Sequence, residues 1–328
     1  MKTAALATVS SFIKLAAKKG TMTAIQEIMQ VGVGVPDRAR FESFACDILG
    51  FPSTRSPNGK VTYVQTDQHH HRIAARPAPQ PVLDYVGFDV GGPQQLTEWQ
   101  AKLTALGIGW RSSTPEECAA RHVSDFIELK DPDGHPIALS SGFEVDQQPV
   151  RYIRDLSVLR LGHVLLTVKD TQRSHDFYTD VLGFRLSDWI CIDDNIRLCF
   201  LRCNERHHSL AFAPCMPGKS PRLQHVMLEV ESLDDVMRSY HFMRLHKAPI
   251  GMGPGRHPNC QTVHVYVRKL PAVLRWSSAG ASAVSTRPMS RLFIRVAALS
   301  ISGAATFKAQ NSNLADLSSP AGFRVTWI

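Results

Sequence analysis

The chain has 328 residues, of which 44% are hydrophobic and 20% are charged, and its formal net charge is +8. This composition is that of a globular protein and excludes a collagen, a disulfide-rich miniprotein and a largely disordered chain. No run of about 18 apolar residues occurs, so we expect no membrane partner. Seven cysteines without a CxxC pair indicate reduced thiols and predict a cytoplasmic location.

The positive charge lies at the two ends of the chain. Residues 1–21 contain four lysines and no acidic residue, and residues 269–328 contain seven basic residues and one acidic residue. The body between them has 26 basic and 28 acidic residues and no basic face interleaved with aromatic residues. This distribution argues against nucleic acid as a partner. We interpret residues 1–21 as an N-terminal extension, with Met22 as an alternative start of translation.

One pattern of strand, turn, helix and glycine occurs twice in the body. The segments QVGVGVPDRARFESFACDILGF (30–51) and HVLLTVKDTQRSHDFYTDVLGF (163–184) correspond at an offset of 133 residues. Each predicts a strand, a turn with an aspartate and an amphipathic helix. The glycines that follow the helices, Gly50 and Gly183, favour a left-handed conformation at the helix end.

A second pair of segments repeats at an offset of 140 residues: YVGFDVGGPQQLTEWQAKL (85–103) and HVMLEVESLDDVMRSYHFM (225–243). Short alternating segments between the repeats predict further strands. The body therefore consists of four βαβββ modules paired into two open barrels, and the fold class is α+β. We place the two domains at 22–145 and 158–268, the linker at 146–157 and an aberrant tail at 269–328.

Two histidines begin the module strands of the second half. His163 corresponds to Gln30 of the first half, and His225 corresponds to Tyr85. Imidazoles on equivalent strands would converge across a pseudo-twofold barrel, and two histidines with a carboxylate can hold iron(II) with open coordination positions. A single histidine is more often a surface or core residue, but paired placement at equivalent repeat positions favours a metal site.

Several segments together resemble a known family. LGHVLLTVKD, FYTDVLGF, CNERHHSLAF, LQHVMLEV, GPGRHPN and VYVR resemble the type I extradiol ring-cleavage dioxygenases, in the 2,3-dihydroxybiphenyl 1,2-dioxygenase and catechol 2,3-dioxygenase group of the vicinal oxygen chelate superfamily. The resemblance is strong over 158–268 and weaker over 25–145. It implies Fe(II)-dependent cleavage of a catechol by O2 in aromatic catabolism, and we expect a homo-oligomer.

The resemblance also implies roles for individual residues. His163 and His225 would be two of three iron ligands, and His208 would be the acid–base catalyst. His257 and Tyr266 would be catalytic and bind the catechol oxygens. Asn259 would also bind substrate, and Cys260 stands where the family commonly has an acid.

The third ligand of the family, a glutamate ten residues after the tyrosine, is missing, because that position is Trp276. Codons for residues 269–280 can be chosen so that reading two bases later gives TPSGFAVEFGW, the family's missing phrase. Serine and alanine also make up 21 of the 60 residues after Arg268. We therefore favour a frameshift after Arg268 over a diverged tail with a function of its own.

The sequence predicts that activity is impaired and that the strand closing the fourth module is lost. The alternative is a vestigial, non-catalytic barrel that binds aromatics or pairs with intact subunits. The first half is predicted to be a scaffold without a metal, because Gln30, Tyr85 and Ala138 stand at its three ligand positions. The consecutive histidines 69–71 are expected in a solvated turn.

Overall fold

The computed structural model describes residues 24–192, 196–270, 274–280 and 294–296, and from residue 268 onward it describes the backbone alone. The N-terminal extension and most of the tail lie outside these residues. No helix in the described part of the chain is long and apolar enough to cross a membrane.

The first half contains eight strands and three helices within the described residues. The strands are β1 (Glu27–Val35), β2 (Ser53–Arg55), β3 (Thr62–Val64), β4 (Ile73–Pro77), β5 (Val82–Asp89), β6 (Trp110–Ser112), β7 (Val123–Lys130) and β8 (Pro136–Phe143). The helices are α1 (Arg38–Ser43), which continues as a π-helical turn (Phe44–Ile48), α2 (Pro93–Ala105) and α3 (Pro115–Arg121).

The second half repeats this order, except that its described residues contain no counterpart of α3 and add one short strand at the end. Its strands are β9 (Val158–Val168), β10 (Arg185–Cys191), β11 (Arg197–Arg202), β12 (Leu210–Pro214), β13 (Arg222–Val230), β14 (Ile250–Arg256), β15 (Val263–Leu270), β16 (Leu274–Gly280) and β17 (Ile294–Val296). Its helices are α4 (Thr171–Asp176), again continued by a π-helical turn (Phe177–Val181), and α5 (Leu233–Leu245).

Each half forms one sheet of two modules. The first sheet has the order β2-β3-β4-β1-β5-β8-β7-β6, and the second has the order β10-β11-β12-β9-β13-β16-β17-β15-β14. In both, the first strand of each module pairs in parallel with the last strand of that module, and the two first strands pair antiparallel. The predicted α+β fold of paired βαβββ modules is confirmed.

The predicted turns and helix ends are present. The Asp37 and Asp170 side chains each accept a hydrogen bond of 2.9 Å from a backbone N–H in the first turn of α1 and α4. Gly50 has φ 82° and Gly183 has φ 75°, which is the left-handed region that glycine enters without steric cost. The repeat in the sequence thus encodes the capping of both helices.

The two halves share a single hydrophobic core. The Phe88 ring of the first half lies edge-on to the Phe184 ring of the second, with centroids 5.4 Å apart. The Tyr178 hydroxyl donates to Asp131 Oδ2 across the same junction at 3.3 Å. The first half therefore supports the second directly. The boundaries 22–145 and 158–268 remain our proposal for the domains.

The tail contributes backbone to the second sheet. Strand β16 pairs in parallel with β13 and antiparallel with β15, and so takes the place that β8 holds in the first half. The prediction that the closing strand is lost is therefore wrong for residues 274–280. Backbone N–H and C=O groups can complete a sheet with many different side-chain sequences, which explains why a strand forms here.

We predict that Gly50→Ala destabilises the protein more than Gly183→Ala does. Both changes place a Cβ at positive φ, which costs about 1–2 kcal/mol. At Gly50 the added Cβ would also lie 2.4 Å from Arg154 Cγ, whereas at Gly183 it meets no atom within 4 Å. Arg154 cannot move freely, because its Nη2 donates to Ser239 Oγ at 3.0 Å. Urea unfolding midpoints of the two variants test this, and equal losses would contradict it.

Candidate active site

Two buried imidazoles meet at the centre of the second half. His163 on β9 and His225 on β13 are 6% and 5% exposed, and their Nε2 atoms lie 2.9 Å apart. Nitrogens bound to one ion at about 2.1 Å, at a right angle, would be about 3 Å apart. The structure therefore brings together the two predicted ligands at a separation that suits a shared ion.

The donor set of this pair fits a transition metal only in part. Imidazole nitrogen is a good ligand for iron, and the contact between His225 Nδ1 and the Gln224 side-chain oxygen holds the His225 ring in place. Among the side chains that the structure describes, however, no three His, Cys, Asp or Glu groups converge in a way that could hold an ion. The two histidines fit, and none of the described side chains supplies a carboxylate to complete the set.

The register of β16 refines the position at which the resemblance places a third ligand. Counting along the sequence aligns it with Trp276 and with Ala138 of the first half. In the structure Ala138 pairs with Gly87, and the counterpart of Gly87 at the 140-residue offset is Met227. Met227 pairs with Ser277, one residue after Trp276. The strand pairings thus make Ser277 the backbone counterpart of Ala138.

His208 lies on one side of the pair. Its ring centroid is 4.2 Å from that of His163, and the residue is 3% exposed. The neighbouring His207 has its Nδ1 3.0 Å from His208 Nδ1 and its Nε2 3.0 Å from Asp188 Oδ2. The carboxylate on β10 therefore orients His207 against His208. Sequence analysis missed this Asp188–His207 contact, which joins residues distant in the chain.

Tyr266 and His257 lie on the other side. The Tyr266 ring is 5.7 Å from that of His225, and its hydroxyl is 2.8 Å from His257 Nε2. His264 stacks on His257 at 3.9 Å, and burial lowers the pKa of His264. His264 was not among the predicted site residues. Its spacing of two from Tyr266 on one strand places both on the same face, and that was the available signal.

Asn259 and Cys260 occupy the turn between β14 and β15. The Asn259 Nδ2 is buried and has no hydrogen-bond partner among the described residues, so it is a donor that a bound ligand could use. Cys260 is 1% exposed and fills the position where an acid was expected. The turn thus carries an unpaired amide donor and no carboxylate.

The first half keeps part of the same arrangement. HHRIAARP (70–77) corresponds to HHSLAFAP (207–214) at an offset of 137, and β4 pairs with β1 in the register in which β12 pairs with β9. His71 is therefore the counterpart of His208, a repeat that sequence analysis missed. His71 is 0% exposed, so the prediction of a solvated turn is wrong for it. The reason is that His71 lies next to Arg72, whose carbonyl accepts a hydrogen bond from the Val31 N–H of β1 at 2.9 Å and so ties this segment to the sheet.

A guanidinium lies at the ligand positions of the first half. Arg121 is 3.9 Å from the centroid of the Tyr85 ring, and its Nη2 is 2.9 Å from Glu128 Oε2. Gln30 Nε2 donates to the Arg121 carbonyl at 3.0 Å. A metal cation here would be repelled by the guanidinium, which gives a physical reason for the prediction that the first half binds none.

The chain is similar to known proteins in sequence and in fold. Residues 160–268 match the Glyoxalase/Bleomycin resistance protein/Dioxygenase superfamily. The 3-methylcatechol 2,3-dioxygenase of Pseudomonas putida is 32% identical over 252 residues, covering 74% of this chain and 85% of that protein. The iron-dependent extradiol dioxygenase of Rhodococcus jostii is 28% identical over 258 residues, with 74% and 85% covered. The crystal structure of BphC, a halotolerant catechol dioxygenase, matches with a TM-score of 0.72 at 30% identity, covering 77% of this chain and 86% of that one.

The βαβββ architecture and the buried histidine site define a protein of the glyoxalase and dioxygenase superfamily. Within that superfamily the chain belongs to the extradiol dioxygenases, and by family it is an enzyme of that type. The resemblance drawn from the sequence is confirmed.

We predict that His71 makes the stability of the protein fall below about pH 6.5. Burial, and then the nearby His70, hold the pKa of His71 well below that of a free imidazole. Below the unfolded pKa of about 6.5 the unfolded chain therefore binds a proton that the folded chain does not, at a cost of up to about 1.4 kcal/mol per pH unit. His71→Leu should flatten this slope. Urea unfolding of both proteins between pH 7 and pH 5 measures it, and parallel slopes would rule the effect out.

Proposed function

We propose that this chain is an Fe(II)-dependent extradiol dioxygenase that acts on a catechol and O2, and that loss of its third iron ligand impairs it. One observation carries the proposal: a buried His163–His225 pair, with Nε2 atoms 2.9 Å apart, lies between His208 on one side and Tyr266 on the other. The relatives' names, which include catechol and iron-dependent dioxygenases, support it.

The proposed roles follow from these positions. His163 and His225 would hold the iron, which when bound supplies the Lewis-acid and redox chemistry of the reaction. His208 would take a proton from a catechol hydroxyl, since its imidazole is buried beside the pair. Its orientation would be maintained by His207, whose other nitrogen is 3.0 Å from Asp188 Oδ2.

Substrate binding would use the opposite side of the site. The Tyr266 hydroxyl and His257 Nε2 are 2.8 Å apart and can both hydrogen-bond a catechol oxygen. His264 stacks on His257 and would keep that ring in place. Asn259 would add a donor from the turn before β15. These groups orient the aromatic ring and exclude water, which is what positioning requires.

The proposed loss of activity rests on the position at which the family match ends. The superfamily match ends at residue 268, the residue after which the composition changes. Loss of an anionic ligand removes both a donor and a negative charge that balances the ion. We therefore propose that a frameshift after Arg268 replaced the segment carrying the glutamate. We further propose a homo-oligomer in the cytoplasm.

The missing carboxylate also favours a second candidate function. A barrel that retains the pocket groups Tyr266, His257 and His208 without a complete ligand set could bind aromatics or pair with intact subunits, without catalysis. Metal binding and catechol turnover separate the two candidates.

We predict that a single glutamate on β16 restores tight iron binding. Neighbouring residues of a strand face opposite sides, so of Trp276→Glu and Ser277→Glu only one should place a carboxylate beside His225. The register favours position 277. Anaerobic titration with Fe(II) should show an affinity about tenfold or more above that of the unaltered chain for that variant.

The control for this experiment is His163→Ala combined with the better glutamate variant. It should abolish the gain, because the new carboxylate would bind iron only together with the two imidazoles. If neither glutamate raises iron affinity, or if the gain survives His163→Ala, β16 does not lie beside the metal site.

We predict that replacing residues 269–328 with the shifted-frame sequence restores catalysis. The replacement would return the glutamate together with its neighbouring side chains. Turnover of catechol or 2,3-dihydroxybiphenyl should reach ~1–1000 per second, the usual range for enzymes. Absorbance of the yellow ring-cleavage product measures it. A similar rate from the unaltered chain would mean that the tail supplies a ligand of its own, and the frameshift proposal would fail.

A further inference from the structure

We infer that Arg206 is a positioning residue that fixes the distance between His163 and His208. This inference rests on the proposed function, which gives those histidines their roles as iron ligand and acid–base catalyst. Arg206 acts through the residues next to these histidines: the backbone carbonyl of Gly162 and the side-chain hydroxyl of Ser209.

The guanidinium bonds to the residues next to both histidines. Arg206 Nη1 donates to the carbonyl of Gly162, which precedes His163, at 2.6 Å. Arg206 Nη2 donates to Ser209 Oγ, next to His208, at 3.3 Å. Since the guanidinium is planar and rigid, these two bonds set the spacing of the segments that carry the two imidazoles.

Charged side chains, of which Glu229 is buried and Glu27 is partly exposed, hold the guanidinium in place. The side chain of Arg206 is 6% exposed and lies 3.5 Å from Glu27 Oε1 and 3.7 Å from Glu229 Oε2. Arg160 lies 3.6 Å from both of these carboxylates, so two arginines balance two glutamates. Asn204 Oδ1 accepts from Arg206 Nε at 3.3 Å. Buried ion groups contribute little net stability, so a geometric role is the better account of this one.

The network also links the site to the first half. Glu27 belongs to β1 of the first sheet, whereas Glu229 belongs to β13 of the second. Asn204 Nδ2 donates to the Gln26 carbonyl of the first half at 3.0 Å. The position of the guanidinium, and with it the spacing of the two histidines, therefore depends on the first half.

The first half contains a similar arrangement, in which an arginine bonds to a carbonyl of the first module strand, but without the proposed active site. Arg72 Nη1 donates to the Met29 carbonyl at 3.1 Å, and Arg72 Nε donates to Asp67 Oδ2 at 2.7 Å. Met29 is the counterpart of Gly162 at the 133-residue offset, and Asp67 is the counterpart of Asn204 at the 137-residue offset. Arg72 and Arg206 stand at different positions of the repeat. Each nevertheless bonds to the equivalent carbonyl of its own half, that of Met29 or of Gly162. A guanidinium thus bonds to the corresponding carbonyl in both modules.

The test compares Arg206→Lys with Arg160→Lys in the full chain. Lysine keeps the charge in both variants. A single ammonium group, however, cannot replace the guanidinium, which bonds to Gly162 and to Ser209 with two different nitrogens. Arg160 pairs with the same carboxylates and serves as the matched control. The first measurement is hydrogen exchange of the Val164 amide, which donates to the Ser209 carbonyl at 3.3 Å. Arg206→Lys should speed this exchange about tenfold relative to the rest of β9, and Arg160→Lys should not.

The second measurement is anaerobic titration with Co(II), followed by its visible spectrum. Arg206→Lys should shift the spectrum and weaken binding about tenfold, because the ligand strand is less well held. Ser209→Ala removes the hydroxyl that accepts from Arg206, and it should also speed exchange of the Val164 amide. This variant serves as the test if Arg206→Lys does not fold.

Identical exchange at Val164 in the two lysine variants would overturn the inference, as would faster exchange spread evenly over the chain. The exchange measurement needs no metal. If the unaltered chain binds no Co(II), the proposed metal site fails, while the exchange comparison still decides the role of Arg206.

Discussion

The second half is organised around two imidazole nitrogens held 2.9 Å apart away from water. Two such nitrogens must share a proton or an ion, since two lone pairs at this distance repel each other. The strands that carry them bring them together through irregular pairing: the register of β9 with β13 shifts between Leu223 and His225 and again between Met227 and Leu228. Bulges of this kind re-aim side chains and are frequent beside active sites. His208 and Tyr266 lie beside this pair, and His257 reaches it through Tyr266.

The two halves have equivalent modules but place different side chains at the centre. The second half places His163 and His225 at its centre, and the first half places Gln30 and Tyr85 there with the Arg121 guanidinium against the tyrosine ring. The cation in the first half is covalently part of the chain, and its positive charge disfavours a metal ion in that half. It can then serve as a support, which its shared core with the second half also indicates.

The sequence was sufficient for the fold class and the order of the modules, because internal repeats place equivalent residues at equivalent positions. It also led to His163, His225, His208, His257 and Tyr266 through a family resemblance, and the structure brings these side chains together. Arg206 and Asp188 were not foreseen, because their partners are distant in the chain and no period marks such contacts. The strand at 274–280 was not foreseen either, since sheet pairing depends on backbone groups that every sequence carries.

The common core has a consequence for synthesis of the chain. The first half leaves the ribosome before the strands that cover it exist, so the face that carries Phe88 must wait for Phe184 and its neighbours. During that interval an apolar surface is exposed to other nascent chains and to chaperones. The order of translation therefore makes the second half the last step of folding for the whole molecule.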